Sequence, residues 1–316
     1  MDLPDLLKSY LEYCELERNL SKGTLKMYRY YLNDFFRSLG AKSVLVSDIT
    51  EEAVHRYRLE LNRRLTTKSG EIIKRNTQKC FLVALRAFIK YLVVIKNLKV
   101  ISPEKILLGK AEASVPKFLN HEQLDRLLNV QNMDRKSGQR DKAILEVLFS
   151  TGLRVSELVN LDRGSVNLES REFSVVGKGR KVRTVYLSDA AVASLKKYLL
   201  TRKDEFKPLF VRYSGRKLDE GDFDGESARL SVRSVERMLQ KYVLRAGLSV
   251  DATPHTLRHT FATDLLTHGA DLRSVQEMLG HSSLSTTQIY THVTNLQLKE
   301  IHKRFHRSAS AKAAVD

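Results

Sequence analysis

Only two cysteines, Cys14 and Cys80, occur in the 316 residues. Both fall in stretches that read as helices and neither has a partner at metal-ligand spacing, so both are expected to be reduced core thiols in a reducing compartment. Long hydrophobic runs are also lacking: every apolar run is far short of the roughly 20 residues a membrane span requires. The opening MDLPDLLKSYLEY is acidic and amphipathic rather than Arg-flanked and continuously apolar, which does not fit a signal or transit peptide. The cytosol is therefore the expected location, with no membrane partner. No internal repeat and no extended low-complexity tract is found. Acidic residues are scarce: 37 Asp and Glu face 54 Lys and Arg, a net charge of +17. Residues 1–110 hold 21 Lys and Arg against 12 Asp and Glu, or +9, so the excess extends over both halves of the chain. Such a distribution suits a protein that grips a polyanion from two sides. The rest of the composition, 42% hydrophobic and 29% charged, is that of a globular chain long enough for two domains.

From Leu6 to about Leu98 the apolar residues recur at helical spacing, and no segment alternates like a strand. Four helices are predicted: Asp5 to Arg18, Lys22 to Leu39 with Ser21 as N-cap, Glu51 to Leu65, and Asn76 to Val94. A basic connector, LTTKSGEIIKRN, separates the third from the fourth. The segment around Pro103 and Pro116 has no clear period and marks the domain boundary. The division expected is a domain over residues 1–105, a linker over 106–116 and a second domain over 117–316. Helical pattern resumes at His121 and again in an apolar helix from Lys142 to Ser150. The runs REFSVV and VRTVYL flank a Gly-Lys-Gly turn and read as a hairpin within a small antiparallel sheet. Helices return at Asp189, break at a polar, acidic insertion between Arg212 and Ala228, and continue towards an Ala/Ser-rich tail after Arg307.

Six residues of the C-terminal half carry the chemistry: Arg154, Lys178, His255, Arg258, His281 and Tyr290. A phosphodiester under in-line attack gathers negative charge on its non-bridging oxygens, and guanidinium forks hold such oxygens bidentately at any working pH. Arg154, in TGLRVSEL, and Arg258, in PHTLRHTFAT, are candidates for that clamp. His255 and Arg258 are three apart and share a helix face that Pro254 would start, whereas His259 points elsewhere and reads as structural. His255 and His259 also have the i,i+4 spacing of a zinc helix. The Glu that a zinc protease carries after its first His is missing, and no metal site is expected. Lys178 lies in the flexible Gly-Lys-Gly turn, where an ammonium can reach a phosphate ester and protonate an alkoxide leaving group. Arg180, Lys181 and Arg183 beside it suit nucleic-acid contact. Tyr290, in LGHSSLSTTQIYTHV, has a phenol with a pKa near 10 and needs a nearby base or cationic field to attack phosphorus. His255 can take its proton, and His281 can hydrogen-bond the phosphate.

These strings resemble those of the tyrosine recombinases, most of all the Xer branch of cellular site-specific recombinases. The resemblance extends from SKGTLKMY (Ser21 to Tyr28) past Tyr290, with all six positions filled in order. It implies a mainly α fold in which a four-helix, SAM-like core-binding domain and a mostly helical catalytic domain with a small antiparallel sheet form a C-shaped clamp on DNA. It implies a tyrosine nucleophile at Tyr290 that forms a 3′-phosphotyrosyl link and frees a 5′-hydroxyl, which then reverses the step on a partner strand. Arg154 and Arg258 would be the phosphate clamp, Lys178 the general acid, His255 the general base and His281 a phosphate donor. Glu157 would support the site from behind. No metal, ATP or other cofactor is implied.

The partner implied is double-stranded DNA with an inverted-repeat site, held by a homotetramer on two duplexes or by a pairing with a related recombinase. A DNA translocase is a further candidate partner. The segment NLQLKEIHKRFH, about 295–306, would be an exchange helix docking on a neighbouring protomer. Candidate DNA contacts are Lys22, Thr24, Lys26 and Arg29 on the second helix and Lys74, Arg75, Asn76, Thr77 and Lys79 entering the fourth. In the second domain they are Arg180, Lys181 and Arg183 at the hairpin, with Arg229, Arg233, Ser234 and Arg237 in SARLSVRSVERML. Most would position phosphates and few would read bases. The chain departs from the family in two places: KLDEGDFDGESA (Lys217 to Ala228) is longer than the usual connection, and FHRSASAKAAVD lacks the common His-Pro-Arg ending. Chromosome-dimer resolution is the expected role, with integration of a mobile element by the same chemistry as the alternative. A type IB topoisomerase shares the pocket but not the N-terminal domain and C-terminal helix. A non-cutting DNA-binding regulator would not need all six residues.

Overall fold

The computed structural model describes residues 2–40, 45–66, 70–109, 117–177, 181–215, 219 and 221–280. The chain divides into two compact units, Met1–Ser114 and Val115–Asp316. In the first, four helices form: α1 (Leu3–Leu16), α2 (Lys22–Ser38), α3 (Glu51–Arg63) and α4 (Arg75–Val94). Each buries the stripe its sequence spells out; on α1 these are Leu3, Leu6, Leu7, Tyr10, Leu11 and Cys14, an i, i+3, i+4 series. Ser21 caps α2 by accepting from the Thr24 N–H, and Thr50 caps α3 in the same way through Ala53. One polar knot ties the bundle together: Asp34 on α2 accepts from the Tyr57 hydroxyl at 2.8 Å and from Arg64 at 2.7 Å. Burial, and then the hydrogen bond to Asp34, pushes the Tyr57 phenol up, out of reach of ionisation.

Three features of this unit differ from expectation. Helix α1 starts at Leu3, because Pro4 fits the first turn of a helix and does not break it. Cys80 is exposed, whereas Cys14 lies in the core: Phe81, Leu82, Leu85 and Phe88 take the buried face of α4, and Cys80 falls outside it. Ile106, in the segment read as linker, is fully buried in the core of this unit.

The second unit is built on α6 (Lys136–Thr151), whose Ala143, Ile144, Leu145, Val147 and Leu148 are all fully buried. Around it are α5 (His121–Asn129), α7 (Val155–Val159), α8 (Asp189–Leu200), α9 (Val232–Arg245), α10 (Pro254–Thr267) and α11 (Leu272–Leu279). Helix α6 begins six residues before the Lys142 start read from sequence, since its first turns are polar and carry no apolar period. Strands β1 (Glu172–Val176) and β2 (Val182–Tyr186) pair antiparallel with Val176 opposite Val182, and the Gly177 N–H donates to the Lys181 carbonyl at 2.8 Å. A buried arginine, Arg202, fixes the chain after α8 by donating to the Pro208 and Leu209 carbonyls, at 3.2 and 3.0 Å, and to Asp204. No described helix is long and apolar enough to cross a membrane.

Candidate active site

Two helix ends and two helix starts bring the described site residues together. Helix α6 stops at Gly152, whose φ of +59° is a left-handed cap that a side chain resists. The chain then turns through Leu153 and starts α7 with Arg154 as N-cap residue. Helix α10 starts at Thr253, whose hydroxyl accepts from the Thr256 N–H, with Pro254 in the first turn, and so places His255 and Arg258 on its N-terminal half. Helix α11 ends at Gly280, again left-handed with φ +63°.

Arg258 links these ends. It is only 3% exposed, and its guanidinium donates to the Gly152 carbonyl and to the Leu279 carbonyl, both at 2.6 Å. Both acceptors lie at helix C-termini, where unpaired carbonyls concentrate and favour a cation. Gly152 has no room to change: a Cβ there would lie 2.5 Å from Phe261 Cδ1 and 3.0 Å from Leu279. Gly152→Ala is accordingly expected to destabilise the catalytic unit by roughly 2–5 kcal/mol, from left-handed strain and overpacking together. Denaturant unfolding followed through this unit measures it; an unchanged midpoint contradicts the packing described.

Arg154 is held by a carboxylate instead. Its N–H and its Nη1 donate to the two oxygens of Glu157, each at 2.9 Å, while 34% of the side chain stays accessible. Glu157 is itself buried and also receives Arg183, Nη1 at 3.1 Å and Nη2 at 2.8 Å. Burial by itself would raise the Glu157 pKa; hydrogen bonds from Arg183 and from the Arg154 N–H outweigh it and hold the carboxyl down at about 2. A depressed pKa stabilises the fold above the ordinary carboxylate pKa, and that stabilisation is lost as pH falls through the folded value. Wild type is therefore expected to exceed Glu157→Gln in stability by on the order of 3 kcal/mol at neutral pH, with the gap closing between about pH 5 and pH 2. Paired denaturation curves at pH 7 and pH 3 check this; a gap independent of pH removes the ionised pair from the account.

His255 is exposed on α10, with its ring set 4.3 Å, centroid to centroid, from that of the buried His259 in an edge-on arrangement. Desolvation by the surrounding protein, followed by the charges of Arg258 and Arg154, lowers the His255 pKa. The imidazole is thus neutral at physiological pH and able to accept a proton. Desolvation, with His255 and Arg258 beside it, pushes His259 down to about 4, which keeps this second ring neutral in the core. Arg154, His255 and Arg258 therefore form one electrostatic cluster: two guanidinium groups and a neutral base. Among the described residues no group of three His, Cys, Asp or Glu could hold a metal ion. Lys178, Arg180, His281, Tyr290 and the 295–306 segment lie outside the described residues.

Two of the expected DNA contacts are corrected. Arg183 has a side chain 9% exposed and all three of its guanidinium nitrogens are engaged within the protein, two by Glu157 and Nε by the Met278 carbonyl at 3.0 Å. Arg229 is likewise withdrawn: it donates to the Val159 and Leu161 carbonyls at 3.1 Å and pairs with Asp162 and Glu226. It pins the polar insertion, much of which is ordered by Asp222 accepting from the Glu226 and Ser227 N–H groups. Lys22, Lys26, Arg29, Lys74, Arg75, Asn76, Thr77, Lys181, Arg233 and Arg237 are exposed; Thr24, Lys79 and Ser234 are half-buried, and Thr24 and Ser234 turn their hydroxyls to Ser21 and Ser231. In the first unit Arg75 and Lys79 share a cavity of about 430 Å³ with His55 and Arg58. In the second, Ser234 and Arg237 share one of about 830 Å³ with Arg140, Arg212 and Lys241. The sequence had not singled out His55, Arg58 and Lys241, which line these cavities; Arg140 is engaged by Asp141 and the Val211 carbonyl. The signal was available for Lys241, one helical turn beyond Arg237 on α9.

Residues 117–297 match the phage integrase family and residues 7–96 the N-terminal SAM-like domain of phage integrases. Tyrosine recombinase XerC of Oceanobacillus iheyensis is 37% identical over 310 residues, covering 96% of this chain and 96% of that protein. Tyrosine recombinase XerD of Shewanella oneidensis is 35% identical over 302 residues, covering 95% and 96%. Among solved structures, the XerH site-specific recombinase bound to its difH substrate in a pre-cleavage complex has the same fold, with a TM-score of 0.66, 23% identity, and coverage of 94% of this chain and 83% of that one. The match runs through both units and spans the loop of Arg154 and the helix of His255 and Arg258: the chain belongs to the phage integrase family, among its tyrosine recombinases.

Proposed function

We propose that this protein is a site-specific recombinase that cuts and rejoins DNA through Tyr290. The observation that carries the reading is the cluster of Arg154, His255 and Arg258, in which the charges of both arginines act on the His255 ring and help keep it neutral. In the cleavage step the Tyr290 oxygen attacks the scissile phosphorus and passes its proton to His255. The bond from phosphorus to the 5′-oxygen breaks, and Lys178 supplies the proton that the leaving oxygen takes up. Arg154 and Arg258, with a hydrogen bond from His281, hold the charge that builds on the non-bridging oxygens. The reverse reaction, with the 5′-hydroxyl of a partner strand, restores the phosphodiester without ATP. Glu157 keeps Arg154 aimed.

DNA is held across the exposed basic residues Lys22, Lys26, Arg29, Lys74 and Arg75 and the half-buried Lys79, joined by His55 and Arg58, in the first unit, and Lys181, Arg233 and Arg237, joined by Lys241, in the second. Four copies act on two duplexes, exchanging the 295–306 segment. The role is resolution of chromosome dimers in the cytoplasm, a reading supported by the Xer names and full-length match of the curated relatives. The test is covalent trapping on sheared genomic DNA of the source organism with EDTA present. A denaturant-resistant adduct is expected, and sequencing the trapped DNA identifies the site, as a single chromosomal locus for dimer resolution or as the ends of a mobile element for integration. Tight binding with no adduct would overturn the assignment in favour of a protein that binds without cutting.

A further inference from the structure

Arg183 has a side chain only 9% exposed and shares the carboxylate of Glu157 with Arg154 of the proposed clamp. It holds Glu157 with both terminal nitrogens, and its third nitrogen donates to the Met278 carbonyl at the end of α11. Two backbone segments approach it closely: a Cβ at Gly280 would lie 3.0 Å from Arg183 Cδ, and one at Gly177 would lie 3.3 Å from Nη1. A carboxylate that oriented Arg154 alone would cancel its charge, leaving the pair neutral and poor at attracting a phosphate. With Arg183 added, the trio of Arg154, Glu157 and Arg183 carries a net +1, and of its two guanidinium groups that of Arg154 is the more open to solvent, 34% against 9%. The carboxylate is also locked, since each of its oxygens accepts one bond from Arg154 and one from Arg183.

We propose that Arg183 is a positioning residue for strand cleavage: by gripping both oxygens of Glu157 and the end of α11, it aims the Arg154 guanidinium at the scissile phosphate and preserves the cluster's positive charge. This rests on the phosphotyrosyl reading above. The test compares wild type, Arg183→Met and Arg183→Lys on two duplexes carrying the site recovered by trapping. One has an ordinary scissile phosphate and the other a methylphosphonate there, which lacks the negative oxygen a guanidinium neutralises. Arg183→Met is expected to form adduct roughly 10²-fold more slowly on the phosphate, to lose less than about 10-fold on the methylphosphonate, and to bind DNA as wild type does. Arg183→Lys, which keeps the charge and is the milder change to the fold, is expected to fall between the two with the same selectivity. Equal losses on both substrates in the Lys variant, or no loss in either variant, overturns the proposal. Failure of wild type itself to form an adduct instead overturns the phosphotyrosyl reading beneath it.

Discussion

Tyr290→Phe is expected to bind DNA with unchanged affinity and to form no covalent adduct. The substitution removes one oxygen and keeps the ring, so the phosphate clamp and the basic faces that carry affinity stay intact. What disappears is the only atom assigned to bond with phosphorus, and loss of a covalent nucleophile costs on the order of 10⁶-fold in rate. The described tyrosines of the catalytic unit are poor substitutes. Tyr198 is buried, accepts from the Val211 N–H and Arg202 and is pushed up to about 12, chiefly by burial. The Tyr242 hydroxyl donates to Asp141 and is likewise raised by burial. Tyr213 packs its ring against the Arg140 guanidinium, 5.4 Å from the centroid, and Tyr186 is exposed on β2. Tyr186→Phe and Tyr213→Phe are therefore controls that should trap DNA as wild type does. An adduct from Tyr290→Phe would move the nucleophile to another residue.

Arg258→Ala should fail twice, in stability and in rate. Removing the side chain leaves the Gly152 and Leu279 carbonyls without their 2.6 Å donor in a buried place, at a cost of about 2–6 kcal/mol for the two together. It also removes half of the proposed clamp, for which a further loss of roughly 10²–10³ in cleavage rate is expected. Arg258→Lys separates the two effects. An ammonium restores the charge but cannot span both carbonyls and present a planar fork to phosphate, so most of the rate loss should persist while part of the stability returns. Single-turnover adduct formation and denaturant unfolding on the same preparations give both quantities. Wild-type cleavage by Arg258→Ala would exclude it from the site.

Much of this was legible in the sequence because the signals are local. Ser21 and the Pro254 start are set by residues within one turn of the helix they begin, and the apolar stripes of α1 and α4 by i, i+3, i+4 spacing. The hairpin was legible because β-rich runs flank a Gly-Lys-Gly turn. Arg154, His255 and Arg258 could be singled out by chemistry, as forks and a base in company. What escaped depends on distant carboxylates and carbonyls. Arg183 sits in a basic run that reads as a DNA-facing patch, and only Glu157 and the end of α11 turn it inward. Arg229 reads the same way until Asp162 claims it. Cys80 was misjudged for a related reason, since a small thiol says little about which side of a helix will be covered.

Arg183 and Arg258 reach adjacent carbonyls of the same short helix, those of Met278 and Leu279, in the last turn before Gly280. Tyr290 follows only ten residues later in the chain, no more than about 35 Å of fully extended backbone. The C-terminal end of α11, from which the chain sets out towards Tyr290, is thus held by one arm of the proposed clamp, Arg258, and by the side chain that fixes Glu157 behind the other arm, Arg154. A shift of that end would therefore disturb both arms of the clamp together.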